Sequence, residues 1–189
     1  MERPILMSTP MVQAIMDGRK TQTRRIVKPA KNATCFDIAM NKDGSNKWPR
    51  NLDADERFIS DMKCPYGSIG DVLWVRETWN KVSFPDGTTA RKLEFVYKAD
   101  KGSGLLTAKW KPSIFMPKGA CRIRLEITNI RVERLQDISE SDCVIEGIQG
   151  DYPYLISNYF SLWSKINGKE SLDLNPWVWV ISFKSLVKY

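Results

Sequence analysis

Apolar positions along the chain change period several times, and each change predicts an element. Residues 3–7 read as a first strand. Ser8-Thr9-Pro10 reads as a helix start, a hydroxyl N-cap followed by proline at the first helical position. Met11, Ala14 and Ile15 then share one helical face, and Gly18 stops the helix. A second strand is predicted over 21–27, ended by Pro29, because proline cannot donate to a ladder. Val72-Leu73-Trp74-Val75-Arg76 is apolar at nearly every position, the pattern of a strand buried on both faces. Leu93 to Tyr97 is another strand after a Pro85-Asp86-Gly87 turn.

The longest strand signal runs from Arg122 to Leu135. Ile123, Leu125 and Ile127 alternate with charged residues, and after Thr128-Asn129 the apolar parity switches to Ile130 and Val132. A one-residue bulge there returns the apolar side chains to the core. Ser139-Glu140-Ser141-Asp142 carries a capping signal for a short helix ended by Gly147. Leu155, Tyr159, Leu162, Trp163 and Ile166 mark an amphipathic helix stopped by Asn167-Gly168. Trp177 to Phe183 closes the series as a strong strand.

Two stretches lack such periodicity. Residues 30–70 are turn-rich and polar, above all over 41–47, and read as an insertion that is mostly loop. Within it, Trp48, Phe58 and Ile59 are the side chains available to pin it to the body, and Cys64-Pro65-Tyr66-Gly67 reads as a tight turn. Residues 101–119, with several Gly and Pro, read as a second loop. Many short strands and few helices predict a mainly-β α+β fold, a small closed or nearly closed barrel, in one domain over 1–189.

Composition narrows the function. A hydrophobic fraction of 42% with 11% aromatic residues suits a folded domain. The net charge of +7 favours an anionic partner, of which nucleic acid is the commonest. The chain has no histidine, which removes the usual general base and the Ser-His and Cys-His pairs. Any base is then Lys, Glu, Asp or Tyr. The four cysteines, Cys35, Cys64, Cys121 and Cys143, show no Cys-x-x-Cys spacing, so they read as free thiols, with no metal or other cofactor expected. No segment approaches the ~18 apolar residues of a membrane span, and the expected location is the cytoplasm.

One stretch concentrates chemistry: Gly18-Arg19-Lys20-Thr21-Gln22-Thr23-Arg24-Arg25. It lies between a helix and a strand, where side chains converge on ligands. Lys20 and Thr23 are the candidates for chemistry or for holding a nucleobase, with Arg19, Arg24 and Arg25 as cationic neighbours and candidate nucleic-acid or substrate contacts. Thr23 belongs to the strand, whereas Lys20 can meet it only from the turn after Gly18, because residues of opposite parity leave a regular strand on opposite faces. Glu77, after the buried strand, is a candidate second pocket carboxylate. Trp79, Tyr97 and Trp110 are candidates for stacking a base.

The helix, the Gly18-Arg19-Lys20-Thr21-x-Thr23 run, the Gly70-Asp71-Val72-Leu73 strand opening and the Leu135-x-x-Ile138-Ser139 helix together resemble the ASCH superfamily, PUA-like β-barrel domains linked to RNA. The order of elements is similar from residue 3 to about residue 184, and the chain looks most like phage and prophage proteins carrying this domain with insertions. One branch of the superfamily consists of bacterial amidohydrolases acting on N4-acetylcytidine. The resemblance to that branch implies a Thr/Lys/Glu triad, here Thr23, Lys20 and Glu146, with Glu140 as the alternative carboxylate. The insertions at 30–70 and 100–119 depart from the small amidohydrolases and leave the substrate open. Three activities follow as expectations: hydrolysis of an acylated cytidine, RNA or nucleobase binding without turnover, and ribonuclease action using Lys20 and an arginine.

Overall fold

The computed structural model describes residues 1–28, 35–40, 47–85, 91–103, 109–150 and 153–187. In chain order the elements are β1 (Glu2–Leu6), α1 (Thr9–Met16), β2 (Gln22–Ile26), β3 (Cys35–Met40), β4 (Lys47–Leu52), β5 (Phe58–Asp61), β6 (Val72–Arg76), β7 (Trp79–Pro85), β8 (Arg91–Tyr97), β9 (Arg124–Arg134), α2 (Glu140–Ile145), α3 (Leu155–Asn167), α4 (Glu170–Asp173) and β10 (Trp177–Ser185). The fold is a mainly-β α+β arrangement. A five-stranded sheet in the order β1-β6-β9-β10-β2 is its centre. The β1–β6 pair is parallel and the other pairs are antiparallel.

Alternation along β10 builds two cores, one on each face of this sheet, because successive strand side chains point to opposite faces. Trp179, Ile181 and Phe183 join Leu73, Val75, Leu125 and Ile127 in one core with α1. Val178 and Val180 join Leu135, Cys143, Tyr159 and Trp163 in the other, under α2 and α3. The parity change in β9 is a bulge. Asn129 pairs with Ser182 and Ile127 with Phe183, so Thr128 is the extra residue. Leu125 and Ile127 before it and Val132 after it are all buried. The expected capping signal also forms: Ser139 and Asp142 make a reciprocal capping box at the start of α2.

The insertion expected to be mostly loop instead holds a three-stranded antiparallel sheet, β3-β4-β5. Its strands are short and lack a sustained alternation of apolar and polar residues, and β4 carries Pro49, so the pattern does not announce them. Their stability comes from docking. The Trp48 ring meets Trp179 edge-on at 5.2 Å, and its indole N–H donates to the Met62 carbonyl. Phe58 and Ile59, the other two expected anchors, are exposed. The Cys64–Gly67 turn forms as expected, closed by Gly67 N–H to Cys64 O. Strand β7, unmarked in the pattern, pairs along its length with β8. Among the described residues of the second insertion, two short 3-10 turns form, Ser113–Phe115 and Lys118–Ala120. Pro29, the polar turn over 41–46, residues 86–87 of the predicted hairpin turn and Gly104 lie outside the described residues.

The closed barrel does not appear: among the described residues the strands form three separate sheets, and β1 and β2 end the central one without meeting. β2 is therefore an edge strand, and this decides where the candidate site lies. Among the described residues no helix is long and apolar enough to cross a membrane.

Candidate active site

Two glycines bring the candidate residues together. Gly18, at φ +73°, ends α1 in the left-handed conformation that favours glycine. The Ala14 carbonyl then accepts from both Arg19 N–H and Lys20 N–H. Lys20 is thereby held in the turn, outside β2, where its amine bonds Glu146 and the Gln22 carbonyl and makes no hydrogen bond to Thr23. At the other side, Glu146 caps the C-terminus of α2 and Gly147 follows at φ +84°. A Cβ on Gly147 would sit 2.8 Å from the Ala14 methyl and 3.0 Å from Lys20 Cβ. Only glycine lets the end of α2 lie against the end of α1. Thr21 N–H donates to Ile145 O, and Lys20 and Glu146 face each other in an isolated antiparallel bridge.

The resulting geometry is tight. The Lys20 amine donates to Glu146 Oε2 at 2.7 Å, to Glu146 O at 2.8 Å and to Gln22 O at 2.7 Å. Both side chains of the pair are buried, 2% and 6% exposed. Glu146 Oε1 accepts from Arg24 at 3.1 Å. Arg24 also pairs with Glu133 at 2.5 Å and Asp142 at 3.0 Å. Three carboxylates thus surround it, which is how a buried guanidinium is tolerated. Thr23 Oγ1 accepts from Arg25 at 2.8 Å, and Arg25 reaches on to Leu6 O.

The electrostatics follow from these contacts. Burial pushes the Lys20 ammonium below its ordinary pKa; Glu146 pulls it back, Arg25 and Arg24 push it down again, and the net shift is downward. Burial opposes the charge of Arg24, but Glu146 and Glu133 outweigh it and raise its pKa. Burial would raise Asp142, yet Arg24, the Ser139 cap and Arg131 hold it below the usual carboxylate range.

Lys20, Thr23, Arg24, Arg25, Glu146 and Tyr159 all line one cleft of about 1120 Å³. Thr23 pairs with Ile181 and Arg24 with Val180, so the two leave opposite faces of the sheet. Both reach the cleft because it runs along the edge strand. Of the two candidate carboxylates, Glu146 meets Lys20; Glu140 lies in the first turn of α2.

Among the described residues, Arg19, Glu77, Trp79, Tyr97 and Trp110, all expected at the site, do not line the cleft. Arg19 is half-exposed and pairs with Asp17. Glu77 is buried in a separate cluster, gripped by Arg122 at 2.8 and 2.9 Å. Trp79 packs in a small core with Met116 and Ala120, with Phe95 against its ring. Tyr97 carries Arg122 over its ring at 3.9 Å, so that face is taken. Residues the pattern assigned to structure take part instead. Tyr159, one of the apolar-face positions of α3, lines the cleft, and Glu133 and Asp142 hold Arg24. Alternation would have put Glu133 opposite Val132, which was a signal for a paired carboxylate.

All four cysteines are free, and burial pushes Cys143 up to about 11, which leaves it an inert thiol at neutral pH. Among the described residues no group of three His, Cys, Asp or Glu side chains is placed to hold a metal ion. No protein-family model, curated protein or solved structure matches this chain.

Proposed function

We propose that this chain is an amidohydrolase of the ASCH, PUA-like class, removing the acyl group from N4-acetylcytidine or a related modified nucleoside. The observation that carries the reading is the buried Lys20–Glu146 pair opening on the same cleft as Thr23. Amide hydrolysis needs a nucleophile, a proton carrier and a group that stabilises the oxyanion or alkoxide. Thr23 Oγ forms a bond to the acyl carbon while its proton passes to the neutral Lys20 amine. Collapse of the tetrahedral intermediate breaks the C–N bond, and Lys20 returns the proton to the leaving nitrogen. Water then cleaves the threonine ester in the same way and releases acetate. Desolvation favours the neutral amine that the first step requires, and Glu146 stabilises the ammonium that forms. Arg25, bonded to Thr23 Oγ1, stabilises negative charge on that oxygen. On this reading the three sheets are the wall of a PUA-like barrel with insertions.

Purified protein incubated with N4-acetylcytidine is expected to release cytidine and acetate, and Lys20→Ala and Thr23→Ala are each expected to abolish release. A second reading, a nucleobase- or RNA-binding module, is favoured by one fact: the Lys20 amine already has three acceptors, and the Thr23 hydroxyl already has a donor. Salt-sensitive RNA binding without turnover selects that reading.

A further inference from the structure

A buried hydroxyl in the cleft wall, that of Tyr159, is left without a hydrogen-bond partner among the described residues. Tyr159 itself is 4% exposed and lines the cleft. A buried hydroxyl is expensive to leave unsatisfied, so such a group in a cleft points to a ligand that supplies the missing bond. The ring is held in place by its surroundings. Phe160 and Trp163 pack against it at 5.9 and 6.2 Å, and the Arg24 guanidinium lies 5.9 Å from its centroid. The phenol also stays protonated. Burial raises its pKa far above the ordinary value, and the charge of Glu146 pushes the same way. Tyr159 is thus a fixed, neutral donor awaiting an acceptor.

Its place in the fold says which acceptor. Tyr159 packs with Arg24 on one face of β2, in the core beneath α2 and α3, whereas Thr23 leaves the opposite face. A substrate whose acyl group meets Thr23 therefore presents a different part of itself to Tyr159. On an acylated cytosine the acceptor remote from the acylated nitrogen is the ring carbonyl. We infer that Tyr159 is a specificity-determining residue whose hydroxyl donates a hydrogen bond to the ring carbonyl oxygen of a pyrimidine base in the cleft. This rests on the proposed nucleoside substrate and adds the group that recognises its base.

The test uses cytidine and a cytidine analogue lacking the ring carbonyl oxygen, titrated calorimetrically into the wild-type protein and Tyr159→Phe. In the wild type the analogue binds about tenfold more weakly than cytidine, the worth of one good hydrogen bond. In Tyr159→Phe that difference disappears, because cytidine weakens by about tenfold and the analogue does not. The melting temperature of Tyr159→Phe equals or exceeds that of the wild type, since the lost hydroxyl had no partner in the protein. Equal binding of the two ligands by the wild type overturns the inference without any variant, as does cytidine binding unchanged by Tyr159→Phe. Failure of the wild type to bind cytidine at millimolar concentration overturns it too. Turnover of N4-acetylcytidine is read separately. Turnover with no discrimination sinks the role of Tyr159 and leaves the amidohydrolase standing; discrimination without turnover does the reverse.

Discussion

Glu146 and Glu77 are buried almost equally, 4% and 1% exposed, and each meets a guanidinium. Glu77 gives both carboxylate oxygens to Arg122, which also pairs with Asp100 and covers the face of Tyr97. That cluster ties the β7–β8 hairpin to the start of β9 and, among the described residues, does not line the cleft. Glu146 divides its oxygens between Arg24 and the Lys20 amine, and it does line the cleft. Burial and ion pairing are therefore common to both. What separates them is access to a ligand and a partner, the amine, that can give up a proton, which a guanidinium does not do.

The largest effect that would sharpen this contrast is on turnover. Lys20→Ala is expected to lower the rate of N4-acetylcytidine hydrolysis by at least ~10³-fold, the order of a lost acid–base group. Glu77→Gln is expected to leave that rate within a few-fold. An equal loss in both variants would break the distinction. For Glu77→Gln the cost should fall on stability instead. Glu77→Gln strands Arg122 with only Asp100, and urea unfolding should show a loss of about 2–3 kcal/mol.

Gly147→Ala comes next, at about 1–2 kcal/mol, from its left-handed φ and the crowding of Ala14. Adding Ala14→Gly should restore part of that loss, because it relieves the crowding and not the backbone strain. The same variant should slow hydrolysis by displacing Lys20, whose Cβ lies against this glycine.

The smallest effects are in pH dependence, and they have opposite signs in the two clusters. Lys20 has a folded pKa below its ordinary 10.5, so the folded state binds fewer protons there than the unfolded chain. Stability contributed by this group rises with pH up to 10.5, and Lys20→Met removes that rise. Burial raises the Glu77 carboxyl above its ordinary 4.5, and Arg122 only partly offsets it. Its contribution is therefore lost as pH rises from 4.5 through the folded value, and Glu77→Gln flattens that slope. Melting temperatures across both windows measure the two slopes.

Local rules were legible wherever a signal spans only a few residues. Gly18, the capping box at Ser139 and the parity switch at Thr128 are read from neighbours in the chain, and each forms as its pattern predicts. The insertion strands were not legible, because β3, β4 and β5 owe their order to pairing and to Trp48 on Trp179. Glu77 looked like a pocket carboxylate from its position after a buried strand. Arg122, 45 residues away, claims it instead.

The sequence alone determined that any base here is not histidine, that a cationic turn follows a helix-ending glycine, and that a lysine and a threonine stand three positions apart within it. The tertiary structure decided that Lys20 meets Glu146, 126 residues distant, and that Thr23 shares their cleft. The reason is physical. Turn and cap preferences act over one or two peptide units, whereas a buried charge takes its partner from whatever surface packs over it, and only the close approach at Gly147 brings that surface in.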